Sequence, residues 1–526
     1  MTLECTVKIR ITLHYIYCSF KKLLTAPFRS YLANSPINDE LNDASFTGNA
    51  IISIISKLNN SKGTYFSPRI LKLLSPTISP ILASIFNRCV KDGYFPSELK
   101  VAKVVPIYKN KGSISDISNY RPISMLSVFS KIFEKLIHRE ITNYFDKNNL
   151  FNNSQFGFRS KHSTIHALIN AFENLYEAKE RKNHTLGIFI DFSRAFDTIN
   201  HDILLFKLEN YGIKGSFHNL LKSYLSERSQ YVCYGGLESS LLKLTVGIPQ
   251  GSVLGPLLFI IFINDIVNAC DLAKFVLFAD DLNLFIMNSD RDLLYKEANR
   301  ALSKIYDYCC SNKLIINFEK CCFIEFNDNH QSETIFLGVL SKPFKQVTKC
   351  KFLGVYINSD LSWKDQIAHV ITQVSKSCGK LYSLRRVVPA KVLRQVYLSL
   401  VQPYLSYCIP LWGAVPNSDM MQKSFIVQKK CIRIAGRKTE KIDKCFQHTK
   451  PIFFRLKILT VFNLYYYFTG CLAMKVFDNK VPHNLFNLFN IPERSGRLLL
   501  PKFSLSKTRD NSFIFNASKI FSNVTI

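Results

Sequence analysis

Two adjacent carboxylates lie where the sequence is otherwise apolar: Asp280 and Asp281 interrupt the run KFVLFADDLNLFI. Burying an unpaired carboxylate costs several kcal/mol, and a like charge beside it adds to that cost. A third aspartate, Asp191, ends the apolar run LGIFI far upstream. If the fold brings the three together, divalent cations must neutralise them, and Mg²⁺ favours such oxygen ligands. The set indicates phosphoryl transfer, in which two ions about 4 Å apart clamp the attacking and leaving oxygens. A simple turn is the alternative for an isolated Asp-Asp pair.

Short apolar runs must position these aspartates. LGIFI (186–190) predicts a strand that ends at Asp191, and VLFADDLNLFI predicts a hairpin with the carboxylates at its turn. KFLGVYI (351–357) predicts one further strand. Helical spacing predicts helices in SVFSKIFEKLIHREITNYF, with Ser127 or Ser130 as candidate caps, and in most of the chain after residue 361. Strands and helices interleaved without a strict βαβ rhythm favour an α+β fold.

The composition favours a polyanionic partner. The chain of 526 residues is 47% hydrophobic and carries a formal net charge of +29, which suits nucleic acid or an anionic membrane surface. Solubility alone is the plainer explanation for the charge. The longest apolar run, Leu257–Ile263, is too short to cross a bilayer, so we expect no membrane partner. Fifteen cysteines without a C-x-x-C pair favour a reduced, intracellular protein.

A glycine-containing loop precedes the aspartate pair in GIPQGSVLGPLLFIIFINDI. Gly251 allows backbone to approach a ligand closely, and Gln250 offers both a donor and an acceptor. With this loop the chain resembles the reverse transcriptases of non-LTR retrotransposons, the LINE elements, and most closely the jockey type. The resemblance covers roughly residues 94–435 and rests on seven blocks in the family's order: YRPISMLSVFSKIFEKL, QFGFRSKHST, IDFSRAFDTINH, GIPQGSVLGPLLF, FADD, NFEK and KFLGVYI.

The resemblance implies an α+β right-hand polymerase with fingers, a palm built on an antiparallel sheet, and a helical thumb. We expect an irregular N-terminal extension at 1–48, fingers and palm at 49–360, the thumb at 361–450, and a C-terminal region of unknown role at 451–526. Intact LINE proteins of this type carry an endonuclease domain before the polymerase, and too little chain precedes the fingers here to hold one. The family's Ser-Pro-Gly-x-Asp-Gly loop is replaced by NNSKGTYFSPR (59–69).

The resemblance also implies the catalytic and metal-binding set. Asp191, Asp280 and Asp281 would hold two Mg²⁺ ions, with Mn²⁺ as an alternative, and Asp280 is the better ligand of the adjacent pair. The residues expected at the nucleotide are Phe196, Gln250, Gly251, Arg121 and Lys320. Phe196 would crowd the sugar's 2′ position, and Lys320 would lie near the leaving pyrophosphate. Core packing for Phe196, a basic strand edge for Arg121 and a plain surface site for Lys320 are the alternatives.

Two further groups of cations are expected to contact nucleic acid. Arg159 and Lys161 lie beside aromatic residues in QFGFRSKHST, a pattern that suits template contact. Lys429, Lys430 and Arg433 lie in QKKCIRIAGRK of the thumb and would contact an RNA–DNA backbone. Phenylalanine packing and a solvated helix face are the alternatives. For Asp197 and His201 we favour structural roles, with Asp197 as a helix cap.

The sequence therefore predicts an RNA-directed DNA polymerase that uses an RNA template, a DNA primer and dNTPs. We expect it in an intracellular ribonucleoprotein, nuclear or cytoplasmic, and its oligomeric state stays open. A catalytically inactive RNA- or DNA-binding remnant of an element is one alternative. A group II intron maturase is another, although that class would bring its own maturation domain after the thumb.

Overall fold

The computed structural model describes residues 28–32, 39–59, 67–326, 336–414, 419–436, 448–489 and 512–524. Most of the NNSKGTYFSPR loop and the first part of the predicted N-terminal extension lie outside these ranges. The domain boundaries inferred from the sequence stay predictions.

The strands of the described residues are short, and most lie between residues 101 and 358. They are β1 Val101–Tyr108, β2 Tyr120–Met125, β3 His184–Ile190, β4 Arg228–Tyr234, β5 Leu237–Glu238, β6 Leu242–Leu244, β7 Lys274–Phe278, β8 Asp281–Asn288, β9 Cys322–Phe326, β10 Gly338–Val339, β11 Lys342–Pro343, β12 Lys345–Gln346, β13 Lys349–Phe352 and β14 Val355–Asn358.

Helices precede, interrupt and follow these strands. They are α1 Gly48–Ser56, α2 Pro68–Lys91, α3 Val128–Lys147, α4 Thr164–Glu180, α5 His201–Asn210, α6 Gly215–Leu225, α7 Leu254–Phe262, α8 Arg291–Ser311, α9 Lys364–Leu384, α10 Ala390–Leu400, α11 Gln402–Ser406, α12 Ile409–Trp412, α13 Asp419–Gly436, α14 Lys450–Leu456, α15 Val461–Phe477, α16 His483–Phe486 and α17 Phe513–Val524. Short 3-10 helices lie at Phe28–Tyr31, Ser97–Leu99, Ile117–Asn119, Ala195–Asp197 and Ile266–Ala269.

A five-stranded sheet in the order β12-β9-β3-β8-β7 forms the centre of the structure. Strand β3 pairs antiparallel with both β8 and β9, and β7 pairs antiparallel with β8. Only β12 joins in parallel, at the edge beside β9. A second sheet contains β1, β2 and β4–β6, and in it β1 lies between β2 and β4. The α+β class predicted from the sequence is confirmed.

Both faces of the central sheet are covered, which explains why its strands are apolar almost throughout. Leu186, Ile188 and Ile190 of β3 alternate onto one face and join the core formed with α1–α3 and α5–α8. Phe285 of β8 and Ile324 of β9 join the core on the opposite face, which contains α4 and the helices from α9 onwards. A carboxylate inside the sheet needs a partner, as Glu325 of β9 has in Arg291, whereas at the end of a strand it can reach solvent or a ligand.

The helices after residue 361 pack as a bundle that returns to the centre of the chain. Helix α15 contacts α12 and α17, and α17 in turn contacts α4. Glu173 of α4 is 6% exposed and accepts hydrogen bonds from Ser512 Oγ at 2.9 Å and from Ile514 N at 3.2 Å. A buried carboxylate of α4 thus binds the first turn of α17.

The structure bears on two local predictions, the cap of α3 and the strand at KFLGVYI. Ser127 caps α3 by accepting a hydrogen bond from Ser130 N, so the first of the two candidate caps is confirmed. The single strand predicted at KFLGVYI was wrong, because the segment forms a hairpin of β13 and β14. Leu353 and Gly354 turn the chain with φ values of 46° and 85°, which a straight strand cannot accommodate.

Helix α2 differs from the other described helices in its apolar surface. Among the described helices, it alone is long and apolar enough to cross a membrane, judged by length and composition. The length of uninterrupted apolar runs in the sequence did not reveal this helix. Core helices of soluble proteins also meet this test. Pro76 and Pro80 lie inside the helix, and Leu73 on its outer face is 82% exposed.

Candidate active site

The central sheet brings the three aspartates to one end. In the β3–β8 ladder the last pair is Ile190 opposite Leu282. Asp191 follows Ile190 at the end of β3, and Asp281 precedes Leu282 at the beginning of β8, so the two aspartates lie on adjacent strands. Paired Cα atoms in such a ladder are about 4.5–5.5 Å apart. Phe278 pairs with Asp281 across the β7–β8 turn, which leaves Ala279 and Asp280 at its tip. Strand tip and hairpin turn therefore meet, as the sequence predicted.

The electrostatics of this cluster show that its carboxylates influence one another. Burial raises the pKa of Asp280, and the charge of Asp191 raises it further. Burial raises the pKa of Asp281 to about 6, with Asp280 and Asp191 adding to the shift, although part of the Asp281 side chain reaches solvent. Lys320 and Arg121 act in the opposite direction on the pKa of Asp280, so both cations lie within electrostatic reach of it.

The chemistry of this donor set suits Mg²⁺, because carboxylate oxygens are the ligands that the ion takes. Within the described ranges, no three His, Cys, Asp or Glu side chains already have a geometry that could hold a metal ion. Asp191 is paired instead with Lys320, whose Nζ lies 3.0 Å from Oδ2. The lysine ammonium thus supplies the positive charge beside Asp191.

Lys320 belongs to a loop that is bound to the tip of β3. Asn317 N donates to the backbone oxygen of Asp191 at 2.8 Å, and Ser193 N donates to Ile315 O at 2.8 Å. The Lys320 side chain is 66% exposed, which leaves it free to move toward a ligand. Its predicted contact with the pyrophosphate stays a prediction.

The loop of Gln250 and Gly251 lies against β2. Ser124 N donates to Gln250 O at 2.7 Å, and Gly251 has a φ of +120°. A Cβ at Gly251 would lie 2.5 Å from Ser124 O, so no other residue fits without moving this backbone. Gln250 Nε2 donates to Asp197 Oδ1 at 3.1 Å. The loop therefore has a fixed shape, and its exposed glycine is available to a ligand.

Glu134 of α3 holds the other end of the same loop. It is 0% exposed, and its Oε2 accepts hydrogen bonds from Val253 N at 2.7 Å and Leu254 N at 3.2 Å, at the beginning of α7. Ser130 Oγ donates to its Oε1 at 3.0 Å. Burial raises the pKa of Glu134, whereas the nearby charge of Arg228 lowers it. The sequence reading missed Glu134, although a carboxylate among Ile132, Phe133 and Leu136 on a core-facing helix was a signal.

The backbone of Phe196 contacts the beginning of the loop that carries Gln250 and Gly251. Its backbone oxygen accepts from Ile248 N at 2.9 Å, and its half-buried ring lies 4.8 Å from that of Phe259. Core packing therefore accounts for one face of the ring, and contact with a sugar stays a prediction for the other.

Asp197 and His201 stabilise this region. His201 Nε2 lies 2.7 Å from Gly247 O, at the beginning of the glycine loop. The sequence predicted that Asp197 caps α5, and this prediction was wrong. Asn200 is the cap, with its side chain accepting from Ile203 N, because Asp197 lies a 3-10 turn too early and contacts Gln250 instead.

The cations expected at nucleic acid differ in their surroundings. Arg159 donates through Nη1 to Asn152 O at 2.8 Å, and its guanidinium lies 5.0 Å from the centre of the Phe151 ring. Lys161 is exposed, with a φ of 59°. Contact with a template stays a prediction for both, and Arg159 has a structural role besides.

The thumb cations lie along the outer part of α13. Lys430 is exposed, Arg433 is half-buried, and Lys429 Nζ lies 4.6 Å from the centre of the Phe425 ring. Their contact with an RNA–DNA backbone stays a prediction.

Comparison with known proteins shows which of them this chain is similar to. The family profile described as reverse transcriptase (RNA-dependent DNA polymerase) matches residues 107–357. The RNA-directed DNA polymerase from mobile element jockey of Drosophila melanogaster is 26% identical over 417 residues, which cover 76% of this chain and 45% of that protein. The probable RNA-directed DNA polymerase from transposon BS of the same species is 28% identical over 363 residues, covering 66% of this chain and 40% of that protein.

The chain spans less than half the length of these two curated relatives. Among solved structures, telomerase from Candida albicans, in complex with a TWJ fragment of telomeric RNA, aligns with a TM-score of 0.39 and 14% identity. That alignment covers 70% of this chain and 68% of the telomerase chain.

Proposed function

We propose, on the premise that residues 107–357 belong to the reverse transcriptase family, that this chain is the RNA-directed DNA polymerase part of a non-LTR retrotransposon protein. In this proposal the central sheet would be the palm, the β1–β2 region would belong to the fingers, and the helices within 361–450 would form the thumb. The observation that carries the proposal is the meeting of Asp191 with Asp280 and Asp281 at one end of that sheet.

The reaction joins a deoxynucleotide to a primer 3′-hydroxyl and releases pyrophosphate. Asp191, Asp280 and Asp281 would hold two Mg²⁺ ions, with Mn²⁺ as an alternative, and these ions supply charge neutralisation at the attacking and leaving oxygens. Arg121 and Lys320 provide positive charge for the triphosphate, and arginine binds phosphate oxygens with two parallel hydrogen bonds. Lys320, now paired with Asp191, would be available to the triphosphate if a metal ion neutralised that carboxylate.

The walls of the nucleotide pocket are rigid. Gly251 exposes backbone where a base pair would lie, and Phe196 presents the free part of its ring to the sugar. Because Phe259 supports that ring from behind at 4.8 Å, it cannot retreat from a 2′-hydroxyl. This geometry supports a preference for dNTPs over ribonucleotides.

The partners and location follow from the same reading. An RNA template and a DNA primer would lie across the palm, with Arg159, Lys161, Lys429, Lys430 and Arg433 as the proposed contacts. We propose an intracellular ribonucleoprotein, in the nucleus or the cytoplasm, because the described cysteines are free thiols.

A primer-extension assay tests the proposal. Purified protein with a primed RNA template, dNTPs and Mg²⁺ is expected to lengthen the primer, and Asp280→Ala is expected to abolish extension. Asp478→Ala is the matched control, since Asp478 is paired with Lys480 on the surface of the C-terminal region and should extend like the wild type.

An inactive nucleic-acid-binding remnant is the second candidate, and one feature of the sequence favours it. The family's Ser-Pro-Gly-x-Asp-Gly loop is replaced here by NNSKGTYFSPR (59–69). That candidate predicts salt-sensitive binding of an RNA–DNA hybrid with no extension in Mg²⁺ or Mn²⁺. Extension by Asp280→Ala at the wild-type rate would contradict the polymerase assignment, and template-dependent extension by the wild type would exclude the remnant.

A further inference from the structure

The segment of QFGFR lies along the edge of the palm sheet. Leu277 N donates to Ser154 O and Phe156 N donates to Leu277 O, both at 2.8 Å. Gln155 forms an isolated parallel bridge with Leu277, next to the last residue of β7. The segment thereby extends the sheet beyond β7, next to the hairpin that carries Asp280.

The side chain of Gln155 reaches the turn of that hairpin. Its Oε1 accepts hydrogen bonds from Gly157 N at 2.8 Å and from Ala279 N at 3.1 Å. Gln155 is 0% exposed, so water cannot replace this acceptor. Its Nε2 is buried and has no hydrogen-bond partner among the described residues. The acceptor oxygen is therefore the half of the amide that the structure uses.

The contact acts on a backbone conformation that alanine does not favour. Ala279 has a φ of 56°, in the left-handed region, where an L-residue with a Cβ is strained. Gly157 lies against it so closely that a Cβ there would be 2.3 Å from Ala279 N. The turn is thus supported from behind, directly before Asp280.

We propose that Gln155 is a positioning residue for the catalytic turn, which holds Ala279 so that the carboxylates of Asp280 and Asp281 face Asp191. The proposal rests on the proposed function, since it assigns a role within the same site. It requires that loss of the acceptor oxygen weaken the binding of divalent ions and slow the chemical step, while dNTP binding changes little.

The test compares Gln155→Met with Gln155→Glu, which keeps an acceptor oxygen in either protonation state. Mn²⁺ binding to the purified chain is measured by titration calorimetry, and kcat and KM are measured by primer extension. Gln155→Met is expected to weaken Mn²⁺ binding about tenfold and to lower kcat at least about tenfold, with KM for dNTP within about threefold of wild type. Gln155→Glu is expected to recover most of both losses.

A matched control separates positioning from general stability. Gln366 is also buried, at 3% exposed, and its Oε1 accepts from the backbone nitrogen of Tyr356 at 3.0 Å, in the β13–β14 hairpin. Gln366→Met should lower stability but leave Mn²⁺ binding unchanged. If it weakens binding as much as Gln155→Met does, the proposal is overturned. The same holds if Gln155→Met binds Mn²⁺ and turns over like the wild type.

A second variant tests the mechanism even where Gln155→Met folds poorly. Glycine adopts a left-handed φ without strain, so in an Ala279→Gly background the loss of Gln155 should weaken Mn²⁺ binding less than it does with alanine. Equal losses in the two backgrounds would overturn the proposal. A wild type that binds Mn²⁺ in a Gln155-dependent way but extends no primer would leave the positioning role standing and remove the polymerase assignment. A wild type that binds no Mn²⁺ would remove the positioning role.

Discussion

Replacing Glu134 with alanine should destabilise the polymerase core and distort the nucleotide loop. The carboxylate is completely buried and accepts the backbone N–H groups of Val253 and Leu254. Each buried N–H left without an acceptor costs about 1–3 kcal/mol. Arg228, 1% exposed, would also lose its nearby counter-charge. Because part of the gap can admit water, we expect the free energy of unfolding to fall by about 3–5 kcal/mol, the usual cost of removing one partner from a buried charged cluster.

The assay is urea unfolding followed by near-UV circular dichroism, together with KM for dNTP. Glu134→Gln keeps acceptor oxygens but loses the charge, so its loss of stability should be the smaller of the two. Glu140→Ala is the control on the same helix, where Glu140 pairs with Arg139 at the surface and contributes about 0–1 kcal/mol. KM should rise for Glu134→Ala, because Val253 follows Gln250 and Gly251 closely in the chain. A loss below about 1 kcal/mol, equal to that of Glu140→Ala, would refute the reasoning.

Two further predictions concern contacts of the first turn of helix α4. Tyr407 donates its hydroxyl proton to Leu353 O at 2.6 Å, and its oxygen lies 3.2 Å from Thr164 Oγ1. Tyr407→Phe should therefore lower the free energy of unfolding by about 1 kcal/mol, and an unchanged urea midpoint would contradict this. Burial lowers the pKa of His166 from 6.5 to about 4 in the folded chain. As the pH falls, the unfolded chain therefore binds a proton at this histidine before the folded chain does. The free energy of unfolding should then fall by up to about 3 kcal/mol as the pH drops from about 6.5 to 4. In His166→Gln the melting temperature should depend less on pH over that window, and an identical profile would show that His166 is not responsible.

The carboxylate site could be predicted from the sequence because its signal is local. Asp191 and Asp280 each follow a short apolar run, and a polar residue at the end of a buried strand is visible without knowing what the strand pairs with. The register that joins the strands was not visible, and the family resemblance supplied it. The β13–β14 hairpin was missed because Leu353, a non-glycine residue with a positive φ, gives no turn signal before Gly354.

Residues that act through distant backbone groups were missed for another reason. The partners of Glu134 lie 119 and 120 positions away, and Ala279 lies 124 positions from Gln155. These distant donors are all backbone N–H groups, so no pattern of residue types records the contacts. The sequence predicted template contact for Arg159 and Lys161 of this segment, which stays a prediction. It gave no role to Gln155, which in the structure contacts the hairpin turn.

The contact between Glu173 and Ser512 also bears on how the protein is made. The two residues are 339 positions apart. A ribosome adds about 5–20 residues per second, so the glutamate waits roughly 20–70 s for the hydroxyl that binds it. Until then neither this hydrogen bond nor the packing of α17 against α4 can form. Chaperones therefore have time to bind α4 before α17 covers it.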